Sequence, residues 1–423
     1  MSGLLAAHQR YGLLSRKQVI EPAARLALQG FKADLAYVNA VNSANDALDK
    51  NPEFESMRVA LLDVHVGQHI DMSNQSKAFK LLIDSGTSGF YQGKLADAIV
   101  KATSGHISLH DLKTYAPRWE TPLQITIGDG NVLVCMPPPS SGGVAIAQII
   151  GLLERLHAKQ FEGQPAFTHL LVEAMKHAFA DRAEHMADSA FVDVPVQQLL
   201  DAQYLDELAS KIVLGETQDI HAYGSHPPPP DDDGTSHICV MDRNGMTVSV
   251  TETINTSFGS LVMVEPYGFM LNNEMDDFSS PTGKNAYGLQ QSKKNLPEPG
   301  KRPISSMSPT IVEHDGVPIL VLGASGGPRI ISGVVQVLLA ILWFGDEPVE
   351  ALLRSRVHHQ WLPDSVYVEE QYPNVTIENA LEQIGYSVKK RPNIGVVQVI
   401  QREAEMLKPA SDPRKGGRPA GIN

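Results

Sequence analysis

The chain has 423 residues, 42% hydrophobic and 20% charged, with a formal charge of −13 from 35 basic and 48 acidic residues. That balance describes a globular protein and argues against nucleic acid or an anionic membrane as its main partner. Two cysteines, Cys135 and Cys239, leave no disulfide framework, and the longest apolar run, 330–344, is shorter than the roughly 20 residues that span a bilayer.

In chain order, residues 19–28 and 167–186 carry apolar residues at helical spacing. In the second stretch Phe167, Leu171, Ala174, Met175 and Ala178 share one face. The stretch ISLHDLKTYAPRWETPLQITIGDGNVLVCMPPPSSGG reads as a short helix, a hairpin turning at Gly128-Asp129-Gly130, and a stop at Pro137 to Pro139. Gly142 and Gly143 then open a helix. Residues 227–233, four prolines and three aspartates, cannot pack and predict an exposed linker. Beyond it the texture becomes β. HICVMD and MTVSVTET flank Asn244-Gly245, a favoured two-residue hairpin turn with φ > 0 at both positions. Strands are expected at 268–272, 317–323 and 395–401, and helices at 329–344 (a buried core helix) and 347–353.

The joint between linker and strand is Gly234-Thr235. A threonine inside a chain is a poor nucleophile. At a free N-terminus it acquires a base, its own α-amine, whose pKa of about 7.7–8.0 lies near working pH. A cut between Gly234 and Thr235 would therefore create nucleophile and base together, and a residue without Cβ at 234 tolerates the backbone strain of self-cleavage. The plain alternative is that Thr235 only starts a strand.

Three later stretches bear on that choice. PISSMSPTIV sets Ser305 and Ser306 in a proline-bounded turn, able to donate to a carboxylate. NNEMDDFSS gathers Glu274, Asp276 and Asp277, enough negative charge for an ammonium group. GASGGPRI places Gly326 and Gly327 between strand and helix, where backbone N–H groups can face an oxyanion. Singly, each also reads as an ordinary polar turn, solvated acidic loop or tight connection. Together they fit one ligand, an α-amino acid acylated through its side chain. The glycine stretch lacks the Lys-Ser/Thr ending of a phosphate-binding loop, and the adjacent His358 and His359 are not at metal-ligand spacing.

With these blocks, and with PPPSSGG at 137–143, EAMKHAFADR at 173–182, VTETINTSFGS and SDPRKGGRPAG, the chain closely resembles the gamma-glutamyltransferases (gamma-glutamyltranspeptidases), which are N-terminal nucleophile hydrolases. The resemblance implies an α/β (α+β) fold, a four-layer αββα sandwich. It implies a large-subunit portion over 1–234 and a small subunit over 235–423, joined as a heterodimer after autocatalytic cleavage. Carried over to this sequence, the nucleophile falls on Thr235 and its supporting hydroxyl on Thr253. Asn255, Glu274 and Asp277 hold the substrate's amino-acid end, with the two acids on the ammonium. Ser305 and Ser306 hold the α-carboxylate, Gly326 and Gly327 form the oxyanion pair, and Tyr287 is a possible lid. The implied substrates are glutathione and other γ-glutamyl compounds, the acceptors water, amino acids or dipeptides, and no metal or organic cofactor is needed. The family also implies the extracellular face of the plasma membrane, or a secreted or periplasmic place, while the expectation from these 423 residues is of no targeting segment. Family members begin upstream of GLLAAHQRYG. The expectation is therefore a sandwich incomplete at its N-terminus, without the arginine that pairs with the substrate carboxylate, so that Ser305 and Ser306 act through neutral hydrogen bonds alone. Two rival readings remain: an acylase of the same fold, and a non-catalytic homologue that only binds or assembles.

Overall fold

Around Gly128–Gly130 the expected hairpin forms, with β1 (Leu123–Ile127) antiparallel to β2 (Asn131–Cys135). In this computed structural model, which describes residues 1–50, 63–224, 234–280 and 292–421, that hairpin is one edge of a six-stranded sheet. The remaining strands are β5 (Thr310–His314), β6 (Val317–Ser325), β7 (Val396–Glu403) and β8 (Met406–Ser411), in the order β8-β7-β6-β5-β2-β1, antiparallel throughout. On one face lie α1 (Gly142–Arg155), α2 (Pro165–His185) and α3 (Arg329–Phe344), sharing a core with the sheet through Leu133, Ile146, Ile150, Phe179, Leu322, Val334 and Val397. On the other face lies a second, two-stranded sheet, β3 (Thr235–Met241) paired with β4 (Thr247–Thr253). Helix, sheet and sheet thus stack in the order of an αββα sandwich.

The contact between the two sheets is polar. Cys239 Sγ donates to the carbonyls of Val321 and Gln398, and Ser249 Oγ to that of Leu322. Gly323 leaves room for the His237 ring, since a Cβ there would stand 2.2 Å from Cε1. The hairpin's apolar residues face outward, with Ile238 and Val240 more than half exposed.

Two elements packed around the six-stranded sheet differ from expectation. Strand pairing ends at Met241–Thr247, and of the loop residues Gly245 alone has a positive φ, 90°. The Asp242 carboxylate accepts from the amides of Asn244 and Met246, while Asp242 N donates to Met246 O. This side-chain capping closes a three-residue loop ending in glycine in place of a two-residue turn. Helix α2 is buried on every side over 168–183, not along one face. Its polar groups are admitted because they are paired: Glu173 and Lys176 form a buried ion pair at 3.1 Å, and the Tyr223 and Tyr386 hydroxyls donate to Glu173.

All of these elements belong to one compact unit, 120–255 with 274–423. The other, 1–119 with 256–273, is mainly helical. Its Arg16–Gln29 helix is opened by a Ser15/Gln18 capping box, and Leu95, Ile99, Leu112 and Val264 form its larger core. The strand expected at 268–272 is there only as Phe269–Met270, paired with Met263–Val264. The boundary at 234/235 is a covalent expectation, and the compact units follow other lines.

Candidate active site

Thr235 opens β3 with its side chain turned toward the six-stranded sheet and 2% of its surface exposed. Register places it opposite Thr253, and its Oγ1 donates to Thr253 Oγ1 at 3.1 Å. Thr253 Oγ1 also lies 3.4 Å from the Gly234 carbonyl oxygen and accepts from Asn255 N at 2.8 Å. The hydroxyl pair therefore brackets the Gly234–Thr235 peptide. Gly234 N donates to the Asn255 carbonyl at 2.5 Å, and Asn255, at φ 72°, turns the chain out of β4. Two residues along, His237 Nδ1 pairs with Thr251 Oγ1 at 2.7 Å. Burial pushes that imidazole down to about 4, so it stays neutral and contributes hydrogen bonds, not charge.

Gly326 and Gly327 lie between β6 and α3 at φ 123° and 57°, conformations that suit glycine. Their carbonyls accept from the amides of Arg329 and Ile330, which turns them into the start of α3. Among the described residues neither glycine N–H donates to a backbone carbonyl.

Ser305 and Ser306 are held against the turn before α1. Ser305 N donates to Pro139 O, and Ser141 donates to Ser305 O through both N and Oγ. The close approach requires Gly142, because a Cβ there would meet Ser308 Oγ at 1.8 Å. Here the structure supplies a residue that sequence reasoning missed. Arg182, 4% exposed on α2, donates from Nη2 to Ser306 Oγ at 2.8 Å and from Nε to Ser141 Oγ at 2.9 Å. The serine pair thus has a guanidinium behind it, contrary to the expectation of neutral groups alone. EAMKHAFADR contains the residue, but in a stretch that also holds Glu173, Lys176, His177 and Asp181 nothing local marks Arg182 as the partner of Ser306.

Glu274, Asp276 and Asp277 share one 3₁₀ turn, Glu274–Asp277. The Asp277 carboxyl is pushed up to about 7, first by burial, then by the charge of Glu274, with Arg182 pulling the other way and Asp276 adding to the rise. An ammonium ligand would relieve that crowding. Lys415, a second residue not anticipated, donates from Nζ to the Thr235 carbonyl at 3.2 Å. Tyr287 and the linker 227–233 lie outside the described residues. Among the described residues no group of three or more His, Cys, Asp or Glu could hold a metal ion, and no helix is long and apolar enough to cross a membrane.

A threonine leading a hairpin stacked on an antiparallel sheet, with helices on the sheet's far face, defines the N-terminal nucleophile hydrolase class. The solved structure of cephalosporin acylase from Bacillus halodurans shares this fold, with a TM-score of 0.83 at 24% identity over 100% of this chain and 77% of that one. The family model for gamma-glutamyltranspeptidase matches residues 1–422. The chain is 37% identical to a glutathione hydrolase proenzyme of Pseudomonas aeruginosa, over 98% of this chain and 75% of that protein. It is 34% identical to a glutathione hydrolase proenzyme of Escherichia coli, over 98% and 73%. The chain belongs to the gamma-glutamyltranspeptidase family.

Proposed function

We propose that the chain cuts itself between Gly234 and Thr235 and then transfers or hydrolyses γ-glutamyl groups, with glutathione and its S-conjugates as donors. In the precursor Thr235 Oγ1 attacks the Gly234 carbonyl, an ester replaces the peptide bond, and water opens it. The freed α-amine becomes the base for turnover. Thr235 then attacks the γ-amide carbon, the Gly326 and Gly327 amides hold the oxyanion, cysteinylglycine leaves, and the ester passes to water or to an amino acid or dipeptide. Glu274 and Asp277, with Asn255, take the substrate's amino end, and Ser305 and Ser306, with Arg182 behind Ser306, take its α-carboxylate.

The observation that carries this reading is the hydroxyl pair, with Thr253 Oγ1 within hydrogen-bond reach of both Thr235 Oγ1 and the Gly234 carbonyl. The sheet supports a lasting association of the two pieces, because β2 from before the cut is hydrogen-bonded to β5 from after it. An acylase acting on a substrate without a free amino-acid end would have no use for both the acidic turn and the Ser305–Ser306 pair. Denaturing gels and N-terminal sequencing of the purified protein test the reading. Two fragments are expected, the smaller beginning at Thr235, with release of glutamate from glutathione, and Thr235→Ala should abolish both. Cleavage that persists in the alanine variant removes Thr235 from the mechanism.

A further inference from the structure

The pairing of β6 with β7 runs to Ser325, which stands opposite Val396. The residue that follows Ser325 and the residue that precedes Val396 are both glycines, Gly326 and Gly395. Gly395 is buried, has φ 65°, and meets the start of α3 backbone to backbone. A Cβ on it would stand 2.7 Å from the Arg329 carbonyl oxygen and 3.3 Å from Gly333 Cα. A Cβ on Gly326 would meet Gly395 Cα at 3.5 Å, and one on Gly333 would meet it at 3.4 Å. Three glycines thus share one close contact. In helical geometry the Arg329 carbonyl accepts from Gly333 N, and Arg329 N donates to the Gly326 carbonyl at 3.2 Å. Whatever moves Arg329 therefore moves the turn that carries the Gly326 and Gly327 amides. Gly395 is itself held from behind by buried side chains. Its carbonyl accepts from Arg356 Nη1 at 2.9 Å, and Ile394 N donates to Glu369 Oε1 at 2.8 Å. Arg356 is paired in turn with Asp412 at 2.8 Å. The turn leans on fixed backbone, with no side chain between that could yield.

We propose that Gly395 is a positioning residue for the γ-glutamyl transition state: by placing no side chain between β7 and α3, it sets where the Gly326 and Gly327 amides point. The assignment rests on the γ-glutamyl reading and adds to it what aims the oxyanion donors. Gly395 acts through the two amides and not on the substrate itself. Those amides contribute most when the attacked carbon is tetrahedral and its oxygen charged, and their contribution depends on their being aimed in advance. A displaced turn therefore weakens binding of the transition state and leaves binding of the donor's amino-acid end as it was.

The test measures inhibition constants of two competitors of glutathione on the cut enzyme. L-Norvaline keeps the amino-acid end and has no oxygen to offer the amides. The glutamate analogue with a boronic acid in place of its γ-carboxyl accepts Thr235 Oγ1 on boron. The hydroxyl proton passes to the α-amine, no bond to boron breaks, and a tetrahedral anion is left facing the amides. Gly395→Ala should weaken the boronic acid about ten- to a hundredfold while norvaline changes by less than about twofold. Each constant reports only the molecules that bind, so a fraction of misfolded chain does not imitate the difference. Gly333→Ala, whose methyl would enter the same contact 3.4 Å from Gly395 Cα, should act in the same direction by a smaller factor. It decides the matter should Gly395→Ala fail to fold or stay uncut. Equal weakening of both competitors, or of neither, overturns the positioning role and leaves γ-glutamyl transfer standing. An unmodified enzyme that turns over no glutathione and binds neither competitor overturns both.

Discussion

Asp277→Asn should stabilise the fold above neutral pH while weakening substrate binding. Burial and the neighbouring Glu274 push the Asp277 carboxyl from its ordinary 3.8 up to about 7. Below pH 4 the group is protonated in the folded and the unfolded chain alike, so parent and variant should match. Between pH 4 and 7 the unfolded chain releases this proton and the folded one retains it, so the parent loses stability as pH rises, and above 7 the full penalty applies. The rise corresponds to about 4 kcal/mol, and discounting for partial exposure leaves about 2 kcal/mol. Asparagine keeps the shape and never ionises. Denaturant unfolding at pH 4 and pH 8, with both proteins carrying Thr235→Ala so that one uncut chain is compared, should show a gain of ~2 kcal/mol at pH 8 alone. In the Thr235-containing enzyme the same change should raise KM for γ-glutamyl donors tenfold or more, because a charge-assisted contact worth ~1.5–3 kcal/mol is lost. A variant no more stable than its parent at pH 8, or equally stabilised at pH 4, would refute the reasoning.

Thr253→Ala removes the hydroxyl bridging Thr235 and the Gly234 carbonyl and should slow both self-cleavage and turnover by about ten- to a hundredfold without abolishing either, as time-course gels and initial rates would show. Arg182→Gln removes a charge that lowers the Asp277 pKa, so the acid limb of the kcat/KM profile should move to higher pH, and an unmoved limb would sever the coupling. Gly323→Ala drives a methyl to 2.2 Å from the His237 ring and should cost about 1–3 kcal/mol by denaturant unfolding, much of it recovered in the double variant with His237→Ala.

Most of the fold that surrounds the site was legible because local signals and tertiary demands agree there. The Gly128–Gly130 hairpin, α1 behind its two glycines and α3 behind Gly326-Gly327 each combine a periodic apolar run with a glycine at the place where the backbone needs one. Legibility failed where partners distant in sequence decide. An isolated stretch such as 167–186 cannot reveal that Glu173 and Lys176 will be buried, since Tyr223 and Tyr386 are 50 and 213 residues away from Glu173. Arg182 was overlooked for the same reason, its acceptor Ser306 lying 124 residues on. At the hairpin the error was local. Asn-Gly suggested a two-residue turn, and the Asp242 side chain, which takes the amides of Asn244 and Met246, outweighed that preference.

That loop bears on the chemistry more than its distance from the site suggests. Side chains along a strand alternate between faces, so slipping a register by one residue exchanges inside for outside. In the observed register Thr235, His237 and Cys239 face the six-stranded sheet while Ile238 and Val240 face away. A shift of one would carry Thr235 off Thr253 and turn Ser236 inward in its place. The apolar pattern cannot guard against this, because the buried face of the hairpin is polar and burying Ile238 and Val240 would by itself be favourable. What holds the register is specific pairing: His237 with Thr251, Cys239 and Ser249 with carbonyls of the larger sheet, and at the far end a three-residue loop closed on Asp242. The site thus rests on hydrogen bonds whose cost, an outward apolar stripe, is paid on the opposite face of the same two strands.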